Sequence, residues 1–331
     1  MPGQTVPATD TAEKVPISVM NDRILESIER GDVKRAQDAA ANYTRINLRE
    51  GSFALQILPP EQATDDMLTP SLTNDLPVIF WELEVDSPGS RWVPFQTMPQ
   101  SEYIQGSRYI IPFARVITKK YEKDLDELRT FKSDLRKLFA DNSVKDGLRE
   151  IDGKFMTLVD DIVTAGGTIV PGQPHPVSGK IQWRQFFGGI TRENLAEALK
   201  MLPSGSTLAG FADKFKCRNY LMLMNDITAK DLLKFEHDEY GGPGSQVVFE
   251  KGLVMDTVFG LKALFTIKES LVPTGTIYFF AEPDFLGKCF YLTDWTMYMK
   301  KEAFMLSWFS YWLGGMAIGN IAGVARADFA P

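Results

Sequence analysis

The chain has 331 residues, of which 44% are apolar and 24% are charged, close to the composition of an average soluble globular protein. A chain of this length has room for roughly two domains and can bury a sizeable core. These values exclude collagen-like, disulfide-scaffold and wholly disordered chains. The net charge of −7, from 36 Lys and Arg against 43 Asp and Glu, argues against tight general binding of nucleic acid, which requires clustered cations.

Cysteine usage and the amino-terminal sequence indicate a reducing compartment. Cys217 and Cys289 are far apart in sequence and do not form a C-x-x-C pair, so we expect two buried thiols. Residues 1–19 are polar and lack a basic region followed by an apolar core, which predicts that they are not a secretory signal. We therefore expect the protein to be made and kept in a cytoplasm.

The first predicted elements are two short helices that follow a flexible arm over residues 1–17. Ser18 is expected to cap the first helix, which places Ile24 and Ile28 on its apolar face, and Asp32 is expected to cap the second. Because both apolar faces are narrow, we expect these helices to pack on a neighbouring surface rather than to form a core.

A strand and a long hairpin are predicted next. Residues 53–60 (FALQILPP) are typical of a strand ended by prolines. Residues 78–85 (VIFWELEV) and 108–118 (RYIIPFARVIT) form the arms of a hairpin whose tip is rich in Pro, Gly, Ser and Gln. Such a tip has few apolar residues to bury, so we expect the projection to lie on another chain.

The segment 119–166 is predicted to be helical. Leu125 and Leu128 begin the apolar face of a first helix, and Ser143 is expected to cap a second one. The second helix is predicted to run for about 23 residues, or roughly 35 Å, before Gly166–Gly167 ends it. This length is large for an ordinary domain.

The remaining chain is predicted to mix helices and strands, with most strands late in the sequence. Residues 168–182 are predicted to form a loop, Thr191 to cap a helix, and residues 219–225 to form a buried strand that a helix follows. Further strands are predicted over residues 261–267, 275–282 and 288–294. The fold class is therefore predicted to be α+β.

Residues 303–324 contain no charged residue and are long enough to cross a bilayer, which takes about 20 residues. Four glycines in this run would weaken a spanning helix. Its alternation instead favours a buried strand that turns at Gly314–Gly315 into a second strand, which places Trp308, Phe309 and Trp312 inside the protein. The alternative is a carboxy-terminal membrane anchor.

The sequence contains no constellation of residues that requires an enzymatic activity. His175 lies between two prolines, and consecutive helical residues around His237 would point in different directions. There is no H-E-x-x-H, G-x-S-x-G, P-loop or G-x-G-x-x-G motif. We therefore predict no catalytic residues, no metal site and no cofactor.

The order of these elements resembles that of the major capsid proteins of tailed bacteriophages, which share the Hong Kong 97 capsid fold. The likeness lies in four stretches. The first is similar to the end of the family's E-loop together with the helical part of the P domain. The other three are similar, in order, to the spine helix, the A-domain strand pair and the closing strand. These stretches are residues 108–131, 141–163, 271–294 and 315–329. Each stretch is a weak signal alone, and the specificity lies in their order and spacing.

The resemblance implies an α+β Hong Kong 97-like capsid fold with four regions. The expected regions are an N-terminal arm (1–50), a P domain (51–75 and 113–185) with its spine helix at about 143–165, an E-loop (76–112), and an A domain (186–331) with strands that return to the P domain.

The resemblance also implies a structural role rather than an enzymatic one. The family's subunits form hexamers and pentamers of an icosahedral head that encloses double-stranded DNA without sequence-specific binding. The E-loop of one subunit lies over the spine helix and P domain of the next, and the arm clasps a neighbour. Portal, scaffold or decoration proteins are expected as further partners, membranes are not, and assembly is expected in the host cytoplasm.

The side chains expected to anchor contacts between subunits lie in the arm and the E-loop. They are Ile24, Ile28, Arg91, Trp92, Phe95, Met98, Tyr103 and Arg108. Packing of the aromatic residues inside their own subunit is the alternative.

One feature departs from some members of the family, which are cross-linked through a lysine of the E-loop. No lysine occurs from Arg35 to Thr118, a run of 84 residues. The E-loop therefore lacks a nucleophilic amine, and we predict a non-covalent shell in which Arg91 and Arg108 pair with acidic residues of a neighbour. The alternatives to a phage capsid are an encapsulin-type shell around cargo enzymes, a soluble α+β enzyme and a membrane-anchored protein.

Overall fold

The computed structural model describes residues 51–69, 78–81, 108–127, 145–207, 216–232, 257–258 and 260–330, together with residues 19, 21–23, 25–26 and 30. The helices are α1 (Ala54–Ile57), α2 (Lys145–Val163), α3 (Arg192–Leu199), α4 (Asp226–Asp231) and α5 (Pro283–Leu286). The first strands are β1 (Pro60–Gln62), β2 (Val78–Trp81), β3 (Arg108–Ile111), β4 (Ala114–Ile117), β5 (Tyr121–Asp124) and β6 (Trp183–Phe187). The later strands are β7 (Leu221–Asn225), β8 (Thr257–Val258), β9 (Leu261–Thr266), β10 (Thr276–Phe280), β11 (Gly287–Glu302), β12 (Met305–Ile318) and β13 (Val324–Ala330).

The chain forms two compact units. The smaller unit comprises Met1–Arg49, Ile117–Gly147 and Trp295–Tyr311. The larger unit comprises Glu50–Val116, Leu148–Asp294 and Trp312–Pro331. Their boundaries differ from those of the arm, P, E-loop and A regions, which stay predictions.

A six-stranded sheet in the order β6-β13-β10-β7-β9-β8 forms the centre of the larger unit. Strand β10 is antiparallel to both β13 and β7, whereas β6 is parallel to β13 and β7 is parallel to β9. Every residue of β7 and β10 is buried. Their continuous apolar sequences, LMLMN and TIYFF, suit central strands that are covered on both faces, and the predicted strands over 219–225, 261–267 and 275–282 are confirmed.

Two helices follow the sheet strands and begin at side-chain caps. The Thr191 side chain accepts a hydrogen bond from the Asn194 N–H, which confirms the predicted cap of α3. The Asn225 side chain accepts from the Ile227 N–H at the start of α4. Helix α3 buries Leu195 and Ala198 against the sheet core.

The long helix predicted near 143–165 is present as α2, with 19 residues and a length of about 28 Å. In the larger unit its buried positions recur every four residues, at Ile151, Phe155, Val159 and Val163. The predicted stop is confirmed, because Gly166 and Gly167 follow in left-handed conformations with φ of 65° and 80°.

A second sheet has the order β1-β11-β12-β4, and β5 also pairs with β12. Strand β1 runs parallel to β11, and β5 runs antiparallel to β12 with Tyr121 opposite Trp308. Strands β2 and β3 form a separate antiparallel pair, which confirms the predicted hairpin for residues 78–81 and 108–111. The rest of the predicted return arm is wrong, because residues 114–117 form β4 and pair with β12. The predicted strand at 288–294 is confirmed and continues to Glu302.

The predicted turn at Gly314–Gly315 is wrong, because β12 continues through both glycines to Ile318. A Cβ atom on Gly314 would lie 2.6 Å from the Phe290 carbonyl oxygen, and one on Gly315 would lie 2.4 Å from the Pro112 carbonyl oxygen. These glycines therefore allow neighbouring backbones to approach β12 closely. Strand β12 ends at Ile318, and the segment that leads to β13 includes a 3-10 turn at Ile321–Gly323.

The uncharged run is built mainly of strand, as predicted, rather than of a helix. Trp308 and Trp312 are only 2% and 3% exposed, which confirms their predicted burial, and Phe309 is half-buried. No helix within the described residues is long and apolar enough to span a membrane.

Two other predicted elements are wrong. Residues 53–60 begin with helix α1 rather than a strand, because the buried residues Phe53, Ala54, Ile57 and Leu58 have the spacing of one helical face. The segment expected to be helical from residue 119 instead begins with strand β5, since pairing with β12 overrides its local helical pattern.

Candidate inter-subunit surfaces

Most of the predicted contact residues lie outside the part of the chain that the structure describes. Seven of them lie outside the described residues: Ile24, Ile28, Arg91, Trp92, Phe95, Met98 and Tyr103. Arg108 contributes its backbone to β3, opposite Trp81, but its side chain lies outside the described part. These contacts stay predictions.

A buried carboxylate in the larger unit fixes the chain at the start of α1. Asp152 of α2 is fully buried and its Oδ1 accepts hydrogen bonds from the Ser52 hydroxyl at 2.5 Å and from the Ala54 N–H at 3.0 Å. Its Oδ2 lies 2.5 Å from Lys268 Nζ, which also donates to the Gly51 carbonyl at 3.1 Å. Because the pair is shielded from water, losing either charge would leave the other poorly compensated.

The smaller unit contains a sheet surface with one buried and one exposed face. On one face of β11 and β12, Met297, Met299, Leu306 and Trp308 are at most 2% exposed. Tyr121 of β5 stacks on Trp308 with ring centroids 5.9 Å apart. Strand alternation turns the intervening residues to the opposite face.

Aromatic residues form a row on that opposite face. Tyr298 is 47% exposed and lies 5.2 Å from the half-buried Phe309, whose ring is 6.5 Å from Tyr311. Rings of this kind are typical anchors of protein interfaces. The row is therefore a candidate contact surface.

The hairpin between β11 and β12 ends in a stiff, exposed tip. Ala303 adopts a left-handed conformation with φ of 50°, which L residues with a side chain rarely take. Phe304 is 70% exposed, and its carbonyl accepts a hydrogen bond from the Leu125 N–H at 2.9 Å. The backbone bond holds the tip in place while the ring stays in solvent.

Charges near the tip are paired and balanced. Lys120 and Glu122 lie 2.6 Å apart, and Lys300 forms an ion pair with Glu302. Hydrogen bonds to these carboxylates raise the pKa values of Lys120 and Lys300, and the bond from Lys300 lowers the pKa of Glu302. A surface with alternating charges meets a second copy of itself without net repulsion.

The loop over residues 168–182 is organised by polar side chains that point inward. Lys180 is 1% exposed, and its Nζ donates to the Leu202 carbonyl at 2.6 Å. Gln182 Nε2 donates to the carbonyls of Ile321 and Val324 at 2.6 and 2.9 Å. Burial lowers the pKa of Lys180 to about 8, because the charged amine loses its hydration.

His175 belongs to the same loop and supports its shape. Its Nδ1 accepts a hydrogen bond from the Val177 N–H at 3.2 Å, and its backbone N–H donates to the Lys180 carbonyl at 2.7 Å. Burial lowers the pKa of the His175 ring, which favours the neutral form that can accept this bond. The imidazole therefore has a structural partner, whereas His237 lies outside the described residues.

A polar cluster joins α2 to the six-stranded sheet. Arg326 lies 3.3 Å from Asp160 and 2.9 Å from Asp328, and Tyr278 donates to Asp160 at 3.1 Å. The Trp183 indole N–H donates to Asp328 at 2.7 Å. Burial raises the pKa of Asp160, and Arg326 opposes that shift. The members of this cluster bind one another, which is the arrangement of a structural network.

The two cysteines are shielded from solvent, and the described acidic and histidine side chains are not grouped around a metal. Cys217 and Cys289 are buried thiols, as predicted, and burial raises the pKa of Cys289 to about 12. At neutral pH this thiol is protonated and a poor nucleophile. Within the described ranges, no three His, Cys, Asp or Glu side chains are grouped as a metal site.

Comparisons with known proteins gave matches by structure alone. No protein-family model and no curated protein matches the sequence. A structure from Microbacterium phage Oxtober96 matches with a TM-score of 0.52 and 9% identity, over 85% of this chain and 92% of that one. A structure from Mycobacterium phage Bobi matches with a TM-score of 0.50 and 11% identity, over 86% and 92%.

The mature capsid of bacteriophage PhiM1 matches with a TM-score of 0.50 and 6% identity, over 86% of this chain and 89% of that one.

Sequence reasoning missed the buried Asp152 and Lys180, because single charged residues in helical or loop segments look like solvent-exposed ones. The order of helices and strands, by contrast, was a usable signal. The chain has the α+β Hong Kong 97-like fold of phage capsid proteins.

Proposed function

We propose that the chain is a major capsid protein that assembles into hexamers and pentamers of an icosahedral phage head around double-stranded DNA. The observation that carries this proposal is the shared fold with the mature capsid of phage PhiM1, which extends over 86% of this chain. A fold shared over nearly the full length limits the chain to the architecture of a shell subunit, although fold alone does not fix function.

Exposed features of the smaller unit support self-assembly. The Phe304 ring at the hairpin tip and the Tyr298 ring on β11 present apolar area to solvent. The exposed Lys120–Glu122 and Lys300–Glu302 ion pairs of the same unit carry balanced charge. Exposed aromatic rings are typical anchors of contacts between protein subunits.

Under this proposal α2 is the spine helix, and the hairpin that begins with β2 and β3 is the base of the E-loop over 76–112. The E-loop and the arm over 1–50 contribute the predicted contact residues. The Asp152 interactions with Ser52 and Lys268 hold the chain where the arm meets the P domain. A rigid anchor at that position lets the arm reach a neighbour without disturbing the subunit core.

The protein is proposed to act as a container and not as an enzyme. The most prominent polar cluster, around Arg326, has its carboxylates engaged by Arg326, Tyr278 and Trp183. The net charge of −7 suits loose enclosure of DNA, because tight phosphate binding requires clustered cations. Sequence-specific contacts with DNA are not expected.

Expression of the chain alone, and together with a scaffold or protease protein from the same genome if it encodes one, tests the proposal. Negative-stain microscopy of the high-mass fraction is expected to show rings or closed shells. A discrete small oligomer under every condition would overturn the proposal. Nuclease-resistant DNA inside particles from infected cells is the expected content, and enzyme cargo would instead identify a nanocompartment shell.

The lack of lysine in the predicted E-loop leads to a second test. Mature particles boiled in detergent are expected to give a single band at the monomer mass, because residues 35–118 offer no lysine amine for a cross-link. A ladder of covalent multimers would contradict the non-covalent shell.

A further inference from the structure

A lysine and a cysteine of the larger unit converge on the same atoms at the end of the 168–182 loop. Lys180 is 1% exposed, and Cys217, in the segment before β7, is 9% exposed. The Lys180 Nζ and the Cys217 backbone N–H both donate to the Leu202 carbonyl, at 2.6 and 3.2 Å. Because they share one acceptor oxygen, the amine and the cysteine are close neighbours in space.

The 3-10 turn at Ile321–Gly323 contacts both side chains from a second direction. Its capping residue, Asn320, donates from Nδ2 to the Cys217 Sγ at 3.5 Å, and the Lys180 Nζ lies 3.5 Å from the Ala322 carbonyl oxygen. The Ala322 N–H donates to the Asn320 side chain at 3.0 Å, which fixes the turn. The turn and the Leu202 carbonyl thus hold the amine and the thiol in one small region.

The surroundings give the Lys180 amine the form that a nucleophile needs. Burial lowers the pKa of Lys180 to about 8, and the charge of a Cys217 thiolate opposes that shift. Near pH 8 about half of the amine is therefore neutral, with a lone pair on Nζ. The opposing influence of Cys217 also indicates that the two side chains interact electrostatically.

Cys217 differs from the second cysteine in its access to solvent and in its neighbours. Lys216 and Arg218 on either side of it are exposed, so this segment lies at the protein surface and carries positive charge. Cations beside a thiol favour the thiolate, which is the form that peroxides oxidise. Cys289, by contrast, is fully buried, and burial raises its pKa to about 12, so it remains a protonated thiol.

We propose that Cys217 and Lys180 form a covalent sulfur–nitrogen link when the folded protein meets a peroxide, and that this link fastens the 168–182 loop to the segment before β7. The link is a sulfenamide between the Cys217 Sγ and the Lys180 Nζ. Because both side chains belong to one chain, the inference goes beyond the proposed function and does not depend on it.

The reaction balances with hydrogen peroxide as the oxidant. The Cys217 thiolate attacks one peroxide oxygen, the O–O bond breaks, and the hydroxide that leaves takes up a proton to become water. The thiol is thereby oxidised to a sulfenic acid and the peroxide is reduced. The neutral Lys180 Nζ then attacks the sulfur, the S–O bond breaks, and the hydroxide leaves as water with a proton from Nζ.

The link responds to the redox state of the surroundings. In a reducing cytoplasm, other thiols keep Cys217 reduced and reopen any sulfenamide that forms. In oxidising surroundings that reductant is missing, and the closed link persists. The device therefore ties the loop to the sheet only after the protein has left reducing conditions.

Peroxide treatment of the purified, folded chain followed by peptide mass spectrometry tests the link. After denaturation, alkylation of the remaining thiols and digestion, we expect a cross-linked species that joins the peptides containing Lys180 and Cys217. Its mass is expected to be about 2 Da below the sum of the two peptides, because each link removes two hydrogen atoms. Dithiothreitol is expected to release both peptides.

Matched variants and an unfolded control separate the link from general oxidation. Cys289→Ser is expected to keep the link, whereas Cys217→Ser and Lys180→Met are each expected to abolish it. In Lys180→Met the sulfenic acid has no amine to react with, so dimedone, a reagent for sulfenic acids, is expected to label Cys217. Wild-type chain unfolded in urea is expected to form no link, and this control remains informative if a variant fails to fold.

The contrary outcomes are equally defined. Folded wild-type chain whose Cys217 stays unmodified, or carries only a sulfenic or higher acid, would show that amine and thiol do not react, and would overturn the inference. Linking to a different lysine, or equal linking in urea, would overturn it as well, because the fold would not direct the reaction. Since the assay needs no assembled shell, none of these results bears on the proposed capsid function.

Discussion

The two large sheets are stabilised in different ways. In the six-stranded sheet, the central strands β7 and β10 are buried along their whole length, so packing within the chain determines their stability. In the sheet built around β11 and β12, close backbone contacts at Gly314 and Gly315 position the strands. Its hairpin tip carries Phe304 with 70% exposure.

This difference separates what keeps the subunit folded from what it can offer to a neighbour. Burial of apolar side chains stabilises the chain before any assembly takes place. Aromatic rings left in solvent stabilise only a complex that covers them. Substitutions of buried residues in the six-stranded sheet should therefore lower mainly the stability of the fold. Substitutions of exposed rings at the hairpin tip should lower mainly assembly, and paired variants can measure this difference.

The largest expected effect comes from matched phenylalanine truncations in the two sheets. Phe279 of β10 is fully buried, so Phe279→Ala is expected to lower the free energy of unfolding by about 4 kcal/mol. Phe304→Ala is expected to change it by less than about 0.5 kcal/mol but to weaken assembly. Urea denaturation of the unassembled subunit measures the free energy of unfolding of both variants. Equal losses of stability in the two variants would contradict the distinction between the sheets.

The second prediction concerns the buried carboxylate on α2. Asp152→Asn removes the fully buried partner of the mostly buried Lys268 ammonium, and we expect a loss of about 3 kcal/mol. Ser52→Ala removes one neutral donor to the same carboxylate and is expected to cost about 1 kcal/mol. Chemical denaturation compares the free energies of unfolding of the two variants. An Asp152→Asn variant as stable as the wild type would show that the pair does not hold the start of α1.

The third prediction tests the close approach at β12. Gly315→Ala places a methyl group 2.4 Å from the Pro112 carbonyl oxygen, so the strands must shift, at a cost of about 2 kcal/mol. Gly51 is the control, because its nearest neighbour would be 3.8 Å away, and Gly51→Ala is expected to be nearly neutral. Thermal melting compares them, and a neutral Gly315→Ala would mean that the sheet accommodates the methyl group without strain.

The smallest expected effect is a pH dependence caused by Lys180. Burial lowers its pKa to about 8 from 10.5, so between these values the unfolded chain binds more protons than the folded one. The contribution of Lys180 to stability therefore increases with pH, by about 1.5 kcal/mol from about pH 8 to about pH 9.5. The rise should be missing in Lys180→Met, and an identical pH profile in that variant would refute the assignment.

Much of the fold could be predicted because local patterns and tertiary packing agree. The Thr191 cap, the continuous apolar run of β7 and the repeat of buried residues on α2 are local features that the final structure preserves. Predictions failed where packing decided between local alternatives. Residues 121–124 belong to a segment predicted to be helical from the leucine spacing that begins at Leu125, yet they form β5 by pairing with the backbone of β12.

The candidate surfaces were predicted less completely than the fold. The expected anchors in the arm and the E-loop come from the resemblance to capsid proteins and still await a test. The exposure of Tyr298 and Phe304 could not be found in the sequence, because aromatic residues look like ordinary core residues until their packing is known.

The sequence by itself determined the α+β class, the positions of most elements and the capsid-like order in which they follow one another. Tertiary structure alone decided that Gly314 and Gly315 lie inside a strand and that Lys180 and Asp152 are buried. The physical reason is that periodicity reports the conformation of neighbouring residues, whereas burial and close contact depend on residues distant in the chain.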